Sequence, residues 1–232
     1  MRTLFLPLLL FWSAMVFASD DLENDTLEPL NRAIFLINDS LDQTIAEPMA
    51  RAYSNITPDP IQQGIANVFS NLEELTSAAN NGLQGKMDGF VYGTGRFLIN
   101  STIGIAGFFD AADKLFKMPK DEPEDFGQTL AVWGIGEGPY MVIPFLGPSS
   151  IRDAPSRFFD TFTNPLRYHS NVSLRNSMTG MGLLSARAGL LGVDDLVSGD
   201  EYIFVRDIYR QRRSYLVKDG AIEDDFGEDD DY

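Results

Sequence analysis

The side chains that could catalyse a reaction are few in this sequence and are poorly grouped. It contains one histidine, His169, and no cysteine, so it lacks the ligands that most zinc sites use. A lone histidine is far more often a surface or core residue than a general base, which needs a partner within hydrogen-bonding reach. Glu73 and Glu74 are adjacent and therefore point in different directions on a helix. We expect no catalytic residue and no metal site.

Two short motifs superficially resemble active-site loops. Ser149 and Ser150 stand in GPSSIRD, which lacks the Gly-x-Ser-x-Gly pattern of a nucleophile elbow. A hydroxyl in this position is more typical of a residue that caps the following helix. GIGEGP is loosely similar to a dinucleotide-binding loop, but no strand–helix–strand unit surrounds it. The sequence therefore predicts a protein that is not an enzyme and binds no cofactor, although carboxylate chemistry stays open.

The overall charge narrows the range of partners. The 232 residues include 34 acidic and 18 basic side chains, which gives a formal net charge of −16. Nucleic acid binding needs a basic footprint, and adsorption to anionic lipid is disfavoured for the same reason. We expect no nucleic acid partner, and any membrane contact must come from apolar insertion or from a local basic patch.

The two ends of the chain differ from its middle. Arg2 precedes an apolar stretch at 4–16, and the sequence turns polar directly after Ala18, as in a cleaved secretory signal peptide. The apolar stretch is short for a membrane anchor. The last ten residues, EDDFGEDDDY, include seven acids, a composition that is typical of disorder. The predicted domains are a signal peptide at 1–18, a helical domain at 19–218 and an acidic disordered tail at 219–232.

Hydrophobic periodicity predicts helices through most of the mature chain. Apolar residues spaced three or four apart form one stripe from Leu27 to Ile45 and another from Ile61 to Leu75. Glu47-Pro48 is predicted to end the first helix. The segment 90–116 is apolar nearly all round, but three polar residues interrupt it, so it is not a plain transmembrane helix; these are Arg96, Asn100 and Asp110.

One long segment is apolar but poorly suited to helix. FGQTLAVWGIGEGPYMVIPFLGPSSIRD, residues 126–153, has Gly or Pro every few residues. The part from Pro139 to Pro148 is predicted to be extended or turned. On physical grounds alone, two interpretations are equally open. The segment is either an irregular, well-packed loop or bent backbone at membrane depth that protein or a watery cavity covers.

Several motifs of the mature chain resemble those of the MlaA/VacJ family of outer-membrane proteins. They are GIANVFSNLEE at 64–74, GRFLINSTIG at 95–104, EDFGQTL at 124–130, GEGPYMVIPFLGPSSIRD at 136–153, and an N-terminal pattern at Asp25, Leu27, Glu28, Asn31 and Arg32. Tyr202, Arg206, Tyr209 and Arg212 fit the closing helix of the family. The resemblance covers residues 25 to about 213.

The resemblance implies an all-α fold, a ring-like bundle of amphipathic helices with a Gly/Pro-rich apolar loop or hairpin. The ring would lie in the periplasmic leaflet of the outer membrane of a Gram-negative bacterium. Its channel would pass misplaced phospholipid from the outer leaflet to a soluble periplasmic lipid carrier, which maintains lipid asymmetry, and an outer-membrane porin trimer would hold the ring. The expected lipid-path or gate residues are Arg96, Asn100, Gly134, Gly138, Pro139, Tyr140, Pro144, Gly147 and Arg152.

Departures from the family leave alternatives open. Thr26 and Glu201 stand where the family usually has proline, and no cysteine is present to carry the acyl chain of a lipoprotein. Either the body of the protein holds the membrane unaided, or the protein is soluble in the periplasm. A scaffold that binds a porin without transporting lipid and a periplasmic lipid-processing enzyme are the competing functions. Arg96 and Arg152 could each meet a lipid phosphate or form a structural salt bridge.

Overall fold

The computed structural model describes residues 25–193 and 199–221. The predicted signal peptide and most of the predicted acidic tail lie outside these ranges. The helices in them are α1 Glu28–Leu41, α2 Glu47–Ile56, α3 Asp59–Leu83, α4 Met87–Thr102, α5 Ala111–Phe116, α6 Phe126–Val132, α7 Asp153–Asp160, α8 Val172–Gly189 and α9 Glu201–Val217. A π turn at Asp42–Ala46 joins α1 to α2, and a 3-10 turn at Pro165–Tyr168 precedes α8. The fold is therefore mostly helical, as predicted.

The Gly/Pro-rich segment forms the predicted hairpin. Strand β1 (Tyr140–Ile143) pairs in antiparallel fashion with β2 (Gly147–Ser150). The Ser150 hydroxyl accepts a hydrogen bond of 3.1 Å from the amide of Asp153, the first residue of α7. The expected capping role of this serine pair is thus confirmed for Ser150.

The prediction that Glu47-Pro48 ends the first helix was wrong. The Glu47 amide donates to the carbonyl of Asp42, five residues back, and the backbone keeps helical angles through the π turn into α2. Pro48 then falls in the first turn of α2, directly after the π turn, where the regular i→i−4 hydrogen bonds of the α-helix are already interrupted. The widened turn lets a proline sit within an otherwise continuous helix.

The elements in contact close into a ring. The first two helices lead in two directions around the ring. Helix α1 lies against β1, and α2 lies against α8. On one side, β2 contacts α7 and α9, and both of these contact α6. The circuit closes through α3, which contacts α6, α8 and α4. This order agrees with the predicted ring-like bundle.

Polarity is inverted relative to a typical water-soluble domain. Among the described residues, nine hydrophobic residues are buried, against fourteen polar or charged ones. The apolar stripe of α1 faces outward, since Leu30 and Ile37 are more than half exposed while the buried residue of that helix is Asn31. Every helix and the hairpin tip expose large apolar side chains, and contiguous surface of this kind marks contact with a membrane or another protein. Across the described ranges, no helix has both the length and the apolar character needed to cross a bilayer.

Candidate functional site

Two asparagines of α1 hold the outer edge of the hairpin. The side chain of Asn31 donates to the Tyr140 carbonyl at 3.1 Å and accepts from the Val142 amide at 2.9 Å. Seven residues later, Asn38 donates to the Ile143 carbonyl at 3.0 Å and accepts from the Phe145 amide at 2.8 Å. Each side-chain amide makes the pair of hydrogen bonds that the backbone of a neighbouring strand would otherwise make. The outer edge of β1 is therefore covered by side chains of α1.

Arg157 holds the opposite edge. Its guanidinium donates from α7 to the carbonyls of Leu146 and Pro148 at 2.9 and 2.6 Å. On the inner side, the Tyr140 ring lies 6.3 Å from that of Tyr202 and 5.7 Å from that of Tyr209, measured between centroids. The base of the hairpin is thus packed into the aromatic core. At its tip, Phe145 and Leu146 are exposed, and their backbone is hydrogen-bonded to Asn38 and Arg157.

The Gly and Pro residues predicted to form a gate lie in and before this hairpin. Gly134, Gly138 and Gly147 have positive φ angles of 86°, 72° and 76°, which glycine adopts without the steric cost that a Cβ brings. A Cβ on Gly138 would come within 3.2 Å of the Ile151 Cβ, whereas one on Gly134 or Gly147 would meet no atom within 4 Å. Of these three glycines, Gly138 is therefore the one at which a side chain would collide with a neighbour. It lies directly before Pro139 and the start of β1.

Arg96 and Asn100 form a separate cluster between α3, α4 and α5. Arg96 is 2% exposed; its Nε lies 2.7 Å from Glu74 Oε1 and its Nη2 lies 3.1 Å from Asp110 Oδ2. It also donates to the Met118 carbonyl. Burial alone would raise the pKa of Asp110, but hydrogen bonds from the Asp113 amide, Arg96 and Asn100 hold it below its ordinary value. Arg96 therefore forms a buried salt bridge, which is one of the two roles that the sequence left open for it.

Arg152 lies in a second buried ionic cluster below the hairpin. Its Nε is 2.8 Å from Asp153 Oδ1, and the same carboxylate accepts from Arg213 of α9 at 2.9 Å and from the Tyr209 hydroxyl at 2.9 Å. Arg213 also forms a bidentate pair with Asp125 at 2.6 and 2.8 Å. Burial would raise the pKa of Asp153, but its two arginine partners hold it below its ordinary value. The cluster ties α6, α7 and α9 together.

Asp160 joins this region to α3 and should make folding depend on pH. Its carboxylate accepts from Asn80 Nδ2 at 2.9 Å and from the Phe126 amide at 3.0 Å. Burial, reinforced by the nearby Asp125 carboxylate, raises its pKa to about 6, although Asn80, the Phe126 amide and Arg213 act in the opposite direction. The native state therefore holds this proton more tightly than the unfolded chain, and the contribution of Asp160 to stability falls as the pH rises from about 4 to about 6.

Asp160→Asn is expected to remove that dependence, because the amide oxygen can still accept both hydrogen bonds without carrying a charge. Thermal unfolding of the two proteins between pH 4 and pH 7 measures it. The difference in midpoint should move in favour of the variant as the pH rises through 6. A difference that stays constant over this range would contradict the raised pKa.

Two cavities lie along α3, away from the predicted gate residues. One of about 470 Å³ is bounded by α3, the segment 164–166 and α8, and one of about 440 Å³ by α3, α4 and the segment 162–168. A hydrogen bond of 2.7 Å between the hydroxyls of Thr76 and Thr163 crosses between α3 and this segment. Both volumes are typical of small-molecule sites, and most of their lining is apolar; it includes Phe69, Leu72, Leu75, Phe90, Phe162 and Leu183.

The structure thus separates the nine predicted residues into two groups. Arg96 and Asn100 belong to the cluster between α3, α4 and α5, and the other seven belong to the hairpin and its approaches. The clamping roles of Asn38 and Arg157 were missed. The available signal was the seven-residue spacing of Asn31 and Asn38, which places two amides on one face of the helix, apart from its apolar stripe.

Comparison with known proteins gives one consistent result. Residues 23–216 match the family described as MlaA lipoprotein. The Escherichia coli K12 protein named "Intermembrane phospholipid transport system lipoprotein MlaA" is 36% identical over 205 residues, which cover 86% of this chain and 81% of that protein. An uncharacterized protein of Rickettsia bellii is 33% identical over 198 residues, covering 84% of this chain and 77% of the relative.

A solved structure agrees with the sequence relatives. It is described as the structural basis for maintenance of bacterial outer membrane lipid asymmetry. It matches with a TM-score of 0.73 at 35% identity, over 84% of this chain and 100% of the solved chain. The similarity therefore spans the helical ring and is not confined to one motif. This chain belongs to the MlaA family.

Proposed function

We propose that this protein removes misplaced phospholipid from the outer leaflet of the outer membrane and passes it to a soluble periplasmic carrier. The observation that carries the proposal is the inverted polarity of the ring, which has polar and charged side chains inside and large apolar ones outside. Such a ring suits a position within one leaflet, where the outside meets lipid and the inside can admit a polar headgroup. Membership of a family with members named for phospholipid transport supports the same role.

The hairpin is the element that we propose to gate the path. Its outer edges are held by the side chains of Asn31, Asn38 and Arg157 and not by further strands. A single hydrogen bond contributes about 0.5–1.5 kcal/mol net, so the tip can be released without breaking the aromatic core. Headgroups would then pass the hairpin.

The scaffold alternative rests on the same apolar surface, because a porin trimer could also cover part of it. Deletion of the gene distinguishes the two, with surface phospholipid measured by an amine-reactive reagent that does not cross the membrane. We expect surface labelling to rise on deletion and to return to normal when the gene is restored. Unchanged labelling in the deletion strain would remove the transport proposal and leave the scaffold.

We also predict that the mature protein is bound to membranes although its sequence contains no cysteine for an acyl anchor. Apolar side chains contribute roughly 1.5–3 kcal/mol each when fully buried in an apolar phase. In and after α4, Leu98, Ile103, Ile105 and Phe109 are exposed and available for insertion, whereas Phe97 and Phe108 are partly buried within the protein. Fractionation of the envelope tests this. The protein should require detergent for release and resist high salt. Complete recovery in the soluble periplasmic fraction would contradict the prediction.

A further inference from the structure

Two turns hold exposed apolar residues in a backbone conformation that disfavours them. Phe145 at the hairpin tip has φ = 66°, and Ile105 in the turn after α4 has φ = 53°. They are 79% and 67% exposed, so neither side chain gains much from packing within the protein. A β-branched or bulky residue with positive φ is a true outlier, and such strain persists mainly where function needs it.

The turn at the hairpin tip is of a type that normally favours a residue other than phenylalanine. Pro144 is the second residue of the turn and Phe145 the third, and the Leu146 amide closes the turn on the Ile143 carbonyl at 3.2 Å. These are the features of a type II turn, in which the third position favours glycine or asparagine. Phenylalanine here sacrifices folding stability for an apolar side chain on the surface.

Most backbone amides of both turns donate to groups of the protein itself, with the Ile105 amide as the exception. At the tip, the Phe145 amide donates to Asn38 and the Leu146 carbonyl accepts from Arg157. In the turn after α4, the amides of Gly104 and of residues 106–109 donate to carbonyls of the chain. A turn in water can leave such groups to solvent, whereas a turn in hydrocarbon must satisfy them internally.

The sequence of both turns is uncharged, although the Arg157 guanidinium reaches the hairpin tip and donates to the carbonyls of Leu146 and Pro148. Residues 97–109 and 138–151 contain no Asp, Glu, Lys or Arg, in a chain that is 22% charged. Charged groups are costly within a bilayer, but a protein partner or bulk water would not require their exclusion over such lengths. The three observations agree on one occupant, the hydrocarbon of a phospholipid bilayer.

We infer that the hairpin tip, Pro144–Leu146, and the turn 103–109 are two membrane anchors that insert apolar side chains into a phospholipid bilayer. The inference rests on the proposed function only in placing the protein at a membrane. The anchors oppose folding and favour binding, so that the same substitution should change the two properties in opposite directions. A residue that merely packs within the protein cannot produce this signature.

The test uses the mature chain, diluted from detergent into vesicles of phosphatidylethanolamine and phosphatidylglycerol. Phe145→Asn should weaken vesicle binding by about tenfold or more, while its thermal midpoint stays equal to the wild-type value or rises, because asparagine tolerates positive φ. Ile105→Asn should behave in the same way. Phe145→Leu, which keeps an apolar side chain, is the matched control and should retain binding to within about twofold.

A second experiment measures how deeply the hairpin tip enters the bilayer. It tests the inference even if one of the asparagine variants folds poorly. Phe145→Trp is combined with Trp133→Phe, which leaves a single tryptophan in residues 19–232. Brominated phospholipid should quench its fluorescence. Absent quenching, or unchanged vesicle binding by Phe145→Asn and Ile105→Asn, would overturn the inference. Transport is scored separately: wild-type protein that moves no lipid, with variants that lose binding, would refute the proposed function and leave the anchors standing.

Discussion

Arg96→Gln is expected to lower the free energy of unfolding by about 3–5 kcal/mol, the cost of removing one partner from a buried ion pair. The variant would leave the Glu74 carboxylate, 7% exposed, without its cation, and it would also weaken the link from α4 to Asp110. The sequence left two roles open for Arg96, contact with a lipid phosphate and a structural salt bridge. The buried contacts with Glu74 and Asp110 favour the salt bridge.

Denaturant unfolding measures the loss, and Arg212→Gln is the matched control. Arg212 pairs with Glu122 at 2.9 Å, but both side chains are more than half exposed, and such pairs contribute about 0–1 kcal/mol. A fully stable Arg96→Gln protein that fails to maintain asymmetry would contradict the salt-bridge assignment. It would instead support contact between Arg96 and lipid phosphate.

Gly138→Val is expected to disable the hairpin while leaving the protein at the membrane. Valine at φ = 72° is strained, and its Cβ would press against Ile151 at 3.2 Å. Because Ile151 donates to the Pro139 carbonyl at 3.2 Å, relief of this contact must shift the start of β1. Surface phospholipid should therefore rise to nearly the level of the deletion strain, at normal amounts of membrane-bound protein.

Gly136→Val is the control for this substitution, since a Cβ there meets no atom within 4 Å and its φ is not positive. It should leave surface phospholipid unchanged. If Gly138→Val instead displaces the hairpin so that the path stays open, lipid should leak through the protein. The variant should then be toxic even in cells that also express the wild-type gene. Normal asymmetry and no toxicity in Gly138→Val cells would show that the hairpin is passive packing.

Local patterns in the sequence predicted the elements well but not their orientation. The stripe at 61–75 and the Gly/Pro spacing of 139–148 depend on near neighbours, and both became the expected helix and hairpin. The outward direction of Leu30 and Ile37 depends on which solvent surrounds the ring, and periodicity does not carry that information. Pro48 misled because a π turn can admit a proline that an α-helical turn would exclude.

The contacts of the candidate site were harder to predict because their partners are distant in sequence. Arg96 meets Glu74 and Asp110, which are 22 and 14 residues away, and Asn31 meets the backbone of Val142, 111 residues away. Family motifs marked Arg96 and Asn31 as important without stating what they touch. Gly138 was an easier case, because glycine is the residue that adopts a positive φ without steric cost, and Gly138 has φ = 72°.

The most direct test of the account is transfer of lipid by the purified mature protein. Vesicles would contain a labelled phospholipid in the leaflet that represents the cell surface, with a soluble periplasmic lipid carrier supplied on the opposite side. We predict that chemically intact labelled phospholipid appears on the carrier when the wild-type protein is present, and much less when it carries Gly138→Val. No transfer by the wild-type protein, or label recovered only as cleavage products, would contradict the central claim that this ring moves phospholipid without altering it.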